Sequence, residues 1–175
     1  MNILFLGDSL IEYFDWQERF PDHRVANLGM AGESVQGLLS RVVKVKEVCP
    51  AADLILIMTG INNVAMGDLE FFDFYKIILD KLSSFYPDAS IFLHSLLPTD
   101  VHFISESTIQ RVNRSLEILA QDSGVKYMDI YSRFIDTKGS PVKEYLLDDG
   151  VHLSRAGYNV WANAVEKLIE YIHHT

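Results

Sequence analysis

Cysteine is almost missing from this sequence: Cys49 is the only one in 175 residues. One thiol allows no intrachain disulfide and no four-cysteine metal site. Cys49 precedes Pro50 at the end of a helical stretch, with no histidine close by in sequence, and this suits packing better than nucleophilic chemistry. Long apolar runs are also missing, and none approaches the ~20 residues that a membrane-spanning helix needs. The opening stretch Met1-Asn2-Ile3-Leu4-Phe5-Leu6-Gly7 is too short for a secretion signal and follows no basic segment, so a cytoplasmic location is expected. Positive charge is in deficit, with 15 Lys and Arg against 24 Asp and Glu and a net charge of -9. Such a chain repels phosphate backbones, and Arg41, Lys44, Lys46 and Arg155 form no stripe, so no nucleic-acid partner is expected. No repeat, low-complexity tract or Pro/Gly/Ser-rich linker breaks the chain, which reads as one domain over residues 1–175. His173 and His174 at the C-terminus are assigned no role.

What is present is an alternation of short apolar runs and longer helical patterns. Runs at 3–6, 24–28, 54–59, 90–95 and 126–129 read as strands, and the first, third and fourth are nearly continuously apolar, as in strands covered on both faces. Between them, Val35, Leu38, Leu39, Val42, Val43 and Val45 mark one helix. Phe71, Phe72, Phe74, Tyr75, Ile78, Leu79, Leu82 and Phe85 mark a second, and Ile109, Val112, Leu116, Ile118 and Leu119 a third. The last helix runs from about Arg155 to His173, with Ser154 as its N-cap. This alternation predicts an α/β fold of three layers, α/β/α, around a parallel five-stranded sheet of flavodoxin-like order 2-1-3-4-5. Ligands of such sheets bind beyond the C-terminal strand ends, which directs attention to residues 6–10, 28–34, 59–64, 95–100 and 131–153.

Each of these segments has an ordinary reading beside a chemical one. In Gly7-Asp8-Ser9-Leu10 the serine can expose its hydroxyl after a tight turn or simply cap a helix. Gly29 and Gly32 can point a backbone N–H into a site or form a plain turn. Gly60-Ile61-Asn62-Asn63 offers neutral amide donors or turn residues. In Asp149-Gly150-Val151-His152 the carboxylate is placed to hold the imidazole tautomer. Alternatively that stretch is a helix entry, or Asp148, Asp149 and His152 hold part of a metal site. The combination says more than the parts. In the order 2-1-3 the loops bearing Gly32, Ser9 and Asn62 are neighbours, so a serine lies between two donors, as acyl transfer requires. Serine is a poor nucleophile near neutral pH without a base, and His152 arrives on the segment after the fifth strand.

These four blocks, in this order, resemble those of the SGNH/GDSL hydrolase family and span the chain from Gly7 to His152. The resemblance implies a flavodoxin-like fold and metal-free, cofactor-free hydrolysis of esters or thioesters. It implies Ser9 as nucleophile, His152 as base and then acid, and Asp149 as the residue orienting His152. It also implies an oxyanion hole made of the Ser9 and Gly32 N–H groups and the Asn62 amide. The stretch 27–34, Leu96-Leu97-Pro98 and His152-Leu153-Ser154 are similar to the branch that includes the platelet-activating-factor acetylhydrolase catalytic subunits. Many family members carry Gly-x-Asn-Asp in the third block, where this chain has Asn63. Asp8 is read as a structural hydrogen-bonding residue.

The expected substrate is a small soluble ester, by family analogy an acetyl ester. Met30, Val64, Met66, Leu97, Pro98, Val101 and His102 follow strand ends and are candidates to line the pocket, with ordinary core or loop packing the favoured reading for each. A thioesterase or acyltransferase on the same site is the first alternative. A flavin- or nucleotide-binding protein would need a Ser/Thr/Gly-rich loop after the first strand, which Gly7-Asp8-Ser9-Leu10 does not supply. A non-catalytic flavodoxin-like binding module would have no need of the whole Ser, Gly, Asn and Asp/His set.

Overall fold

The computed structural model describes residues 1–173, so His174 lies outside the described residues. Five strands, β1 (Asn2–Gly7), β2 (Arg24–Gly29), β3 (Leu54–Met58), β4 (Ser90–His94) and β5 (Lys126–Met128), form one parallel sheet in the order β2-β1-β3-β4-β5. The continuous apolar runs of β1, β3 and β4 are the buried centre of the sheet, while the edge strands β2 and β5 are only partly buried. This follows from helices lying on both faces, which leaves no solvent side for alternation. Burying each such Leu or Ile contributes about 1.5–3 kcal/mol.

The helices are α1 (Ser9–Glu12), α2 (Trp16–Arg19), α3 (Val35–Val48), α4 (Ile61–Ala65), α5 (Phe72–Phe85), α6 (Glu106–Asp122) and α7 (Arg155–His173). Right-handed crossovers put α3, α5 and α6 on one face and α1, α2 and α7 on the other. On the latter face, Trp16 stacks on Phe5 with ring centroids 4.1 Å apart and meets Trp161 edge-on at 5.1 Å. Arg19 grips Glu166 with two hydrogen bonds of 3.1 and 2.7 Å, tying α2 to α7. Ser34 caps α3 through the Gly37 N–H, and Ser154 accepts the Gly157 N–H at 3.2 Å at the start of α7.

Two details depart from the periodicity. Val43, Phe74 and Ile118 belong to apolar helical patterns but face outward, each next in the chain to a buried residue, Val42, Tyr75 and Leu119 respectively. Strands β3, β4 and β5 each stop one residue short of the run expected from the sequence, before Thr59, Ser95 and Asp129. At Ser95 the cause is visible: its Oγ accepts the Ile130 and Tyr131 N–H groups at 2.9 and 2.8 Å, satisfying the chain where it leaves β5.

Candidate active site

The turn after β1 is shaped by a close approach that only glycine permits. A Cβ on Gly7 would lie 1.9 Å from the Met58 carbonyl oxygen and 2.7 Å from Ile11 Cγ1. The chain therefore leaves β1 tight against β3 and enters α1 at once. Asp8 is the N-cap, its Oδ1 accepting the Leu10 N–H at 3.0 Å, and Ser9 is the first helical residue. Ser9 is 7% exposed, yet its Oγ is 2.9 Å from His152 Nε2.

His152 comes from the long connection between β5 and α7. Asp149 Oδ1 accepts the Val151 and His152 N–H groups, both at 2.9 Å, and its Oδ2 lies 2.7 Å from His152 Nδ1. Gly150 makes the turn at φ 71°, where a Cβ would fall 2.6 Å from the Asp100 carbonyl oxygen. The Asp100 N–H donates to the Gly150 carbonyl at 2.8 Å, so the loop after β4 braces the histidine loop. Burial raises the Asp149 pKa, but it is outweighed by the Val151 N–H, the His152 ring and N–H, and the imidazolium charge, which together hold the carboxyl down at about 2. An ionised Asp149 accepts from Nδ1–H, and this leaves Nε2 as the acceptor for the Ser9 hydroxyl.

On the other side of Ser9 stand the loops after β2 and β3. The Met30 N–H donates to the Gly7 carbonyl at 2.9 Å, docking the β2 loop on the serine turn. Gly32 is exposed, with φ 74°. Among the described residues, neither the Ser9 nor the Gly32 N–H donates a hydrogen bond. Asn62 spends one amide hydrogen on the Glu33 carbonyl at 3.0 Å, which leaves the other free to point elsewhere. Glu33 is itself buried and held by Arg41, with bonds of 2.5 and 2.6 Å, and Arg41 also donates to the Leu28 carbonyl.

Asn63 has a defined structural place. Its Oδ1 accepts the Val35 N–H at 2.9 Å, while its Nδ2 donates to Gln36 Oε1 and Asp68 Oδ2, both at 2.7 Å. A carboxylate could keep the first bond but not the donations. Gln36 Nε2 also donates to Asp68 Oδ2, at 2.9 Å, and this bond first and then the one from Asn63 hold the Asp68 carboxyl below the usual range. Asn63→Asp is expected to destabilise the fold by about 1–3 kcal/mol near neutral pH by setting two carboxylates together, with partial recovery as pH is lowered. Denaturant unfolding at two pH values checks this, and equal stability at pH 7 would remove the donation from the account.

The structure thus brings Ser9, His152 and Asp149 into one hydrogen-bonded chain, with the Gly32 and Asn62 loops beside it. Among the described residues no group of three or more His, Cys, Asp or Glu could hold a metal, and Asp149 has both oxygens engaged elsewhere. Of the residues placed in the pocket by their sequence position, Val64, Leu97 and Pro98 are buried, Val101 is half-buried, and Met30, Met66 and His102 are exposed. Tyr13, one helical turn beyond Ser9, was not among them, yet its ring lies 5.4 Å from that of His152. The i, i+4 spacing from Ser9 was the available signal. Tyr13, Met30, Met66, Phe103 and Leu147 are all exposed, and each lies on the segment following a different strand of the sheet.

A parallel sheet with a serine, an imidazole and a carboxylate in line at its C-terminal edge defines a class of hydrolase. The model of the GDSL-like lipase/acylhydrolase family matches residues 5–160, and the chain belongs to that family. It is an ester-hydrolysing enzyme. The rat (Rattus norvegicus) platelet-activating factor acetylhydrolase IB subunit alpha1 is 24% identical over 177 aligned positions, covering 96% of this chain and 75% of that protein. A solved structure from Streptococcus pneumonia, provisionally described as a platelet activating factor, superposes with a TM-score of 0.86 at 29% identity, covering 95% of this chain and 83% of its own. An acetyl xylan esterase from Geobacillus stearothermophilus shares the fold with a TM-score of 0.71 at 22% identity, covering 95% and 93%. No helix among the described residues is long and apolar enough to cross a membrane.

Proposed function

We propose that this chain, as one domain over residues 1–175, cleaves small acyl esters, acetyl esters foremost, through an acyl-enzyme on Ser9. The observation that carries the reading is the unbroken line from Asp149 Oδ2 through His152 to Ser9 Oγ, at 2.7 and 2.9 Å. Ser9 Oγ attacks the ester carbonyl carbon while His152 Nε2 takes its proton. Asp149 holds Nδ1–H and stabilises the imidazolium that forms. The carbonyl oxygen becomes an oxyanion, received by the Ser9 and Gly32 N–H groups and the second amide hydrogen of Asn62. The intermediate collapses, and His152 returns the proton to the departing alcohol. Water then enters, loses a proton to His152 as its oxygen attacks the acyl carbon, and the second intermediate collapses to free acid while His152 returns the proton to Ser9 Oγ. No step calls for a metal or cofactor.

The acetyl preference is supported by the names of the acetylhydrolase and acetyl xylan esterase relatives. The exposed apolar side chains of Tyr13 and Met30 offer surface to a short acyl or alcohol group. The test is turnover of p-nitrophenyl acetate, butyrate and octanoate beside the Ser9→Ala variant. A steep decline from acetate to octanoate supports the small acyl site, and a rise toward octanoate overturns it. Asn62→Ala is expected to lower kcat by about 10²–10³ with little change in KM, because an oxyanion donor acts on the transition state. An unchanged kcat would remove Asn62 from the mechanism.

A further inference from the structure

Directly beneath the serine lies a carboxyl group for which the proposed reaction has no use. Asp8 has no exposed surface. Its Oδ1 accepts the Leu10 N–H, but its Oδ2 is buried with no hydrogen-bond partner among the described residues. The β1–β3 register ends with Gly7 paired to Met58, and Asp8 and Thr59 are the residues that follow in each segment. Thr59 Oγ1 and the Tyr75 hydroxyl are also buried without a partner among the described residues, although Tyr75 lies toward the Thr59 backbone. A fully buried carboxylate oxygen that no donor reaches is a poor place for a bare negative charge, since an unpaired buried ion costs far more than an unpaired neutral group.

The charged and titratable groups around Asp8 point the same way. Glu33, before α3, repels a charge there, although Arg41 pairs with it. Tyr75 on α5 and Tyr158 on α7 are neutral neighbours that feel an Asp8 charge only as a penalty on their own ionisation. His152 is the one nearby group that would favour the anion, and only when protonated.

We infer that Asp8 is a neutral, proton-bearing positioning residue in the working enzyme, holding the Ser9 turn closed, and that losing this proton opens the turn and ends activity on the alkaline side. The role rests on Ser9 being the nucleophile. Neutral Asp8 keeps its acceptor for Leu10 and leaves only an uncharged group unpaired at Oδ2. No donor reaches Oδ2 while the turn is closed, so an ionised Asp8 is satisfied only by bringing water or a hydroxyl to it, and either requires the chain at 7–10 to move. Burial first, then Glu33, push its pKa up to about 7 against the pull of the Leu10 N–H and His152. Because the folded value lies above the unfolded one, the associated stability is complete below about pH 4 and is lost as pH rises through about 7.

Asp8→Asn keeps an oxygen for Leu10 and places a neutral NH₂ at the other position, so it mimics the protonated acid at every pH. The ratio of kcat/KM at pH 9 to that at pH 6 is expected to rise at least about threefold in Asp8→Asn relative to the wild type. The melting-temperature gap between variant and wild type should widen by about 5 °C or more from pH 5 to pH 9. Ratios and gaps that coincide at both pH values would overturn the inference. Infrared spectra of the wild type give a reading that needs no variant. A protonated carboxylic C=O band present at pH 6 and lost by pH 9 supports the neutral acid, and its absence at pH 6 overturns it. A wild type without ester turnover would count against Ser9 as nucleophile, while the band and the melting curves would still report the state of Asp8.

Discussion

Replacing Ser9 with alanine is expected to lower kcat/KM for any ester substrate by roughly 10⁴–10⁶ without unfolding the protein. The substitution removes one atom, the Oγ that faces His152 Nε2. The turn does not depend on that atom. It is held by Asp8 on the Leu10 N–H, by the Tyr13 N–H on the Ser9 carbonyl and by the tight packing at Gly7. Circular dichroism and melting temperature should therefore match the wild type while turnover and fluorophosphonate labelling disappear. The remaining donors, the N–H groups of residues 9 and 32 and the Asn62 amide, would still favour an oxyanion formed by water, which is why a small residual rate is expected. Turnover at wild-type rates in this variant would overturn the acyl-enzyme on Ser9.

The second large effect is expected at His152. His152→Ala should cost nearly as much as Ser9→Ala, because an unassisted hydroxyl almost never loses its proton near neutral pH. The two losses should not add. A Ser9→Ala/His152→Ala double variant is expected to be no slower than either single one, since each alone already breaks the unit. The Asp149 loop should survive the change, because Asp149 Oδ1 is held by two backbone N–H groups rather than by the ring. The pH profile supplies an independent reading. Wild-type kcat/KM should rise with pH on the acid side as an imidazole base becomes neutral, and this limb should vanish in the variant. Asp149 does not confuse the assignment, because its carboxyl is held at about 2 and is ionised well below that range. A losing double variant, or an acid limb that persists without the imidazole, would place the base elsewhere.

Much of this architecture was legible because the signals are local. β1, β3 and β4 are continuous apolar runs, and such runs have few alternatives to a sheet covered on both faces. Ser9, Gly32 and Asn62 lie just past strand ends, where an α/β sheet offers its ligand site, and Asp149 and His152 lie on the connection between β5 and α7. The short helices α1, α2 and α4 were not legible, since four or five residues leave no periodicity to detect. Nor was the outward turn of Val43, Phe74 and Ile118, because apolar spacing marks a helix face without saying where its boundary falls.

By itself, the sequence determined the layered fold, the strand order and the set of polar residues gathered at one edge of the sheet, because hydrophobic periodicity is local and the handedness of crossovers leaves few ways to connect successive parallel strands. Only the tertiary structure decided the 2.9 Å contact between residues 9 and 152, the seating of Asn63 between Val35, Gln36 and Asp68, and the enclosure of Asp8 with one oxygen unpaired. Those relations join segments far apart in the chain. They set which donors are spent, which oxygens are left bare and how strongly a charge is disfavoured, and these are properties of packing and local dielectric that no residue carries alone.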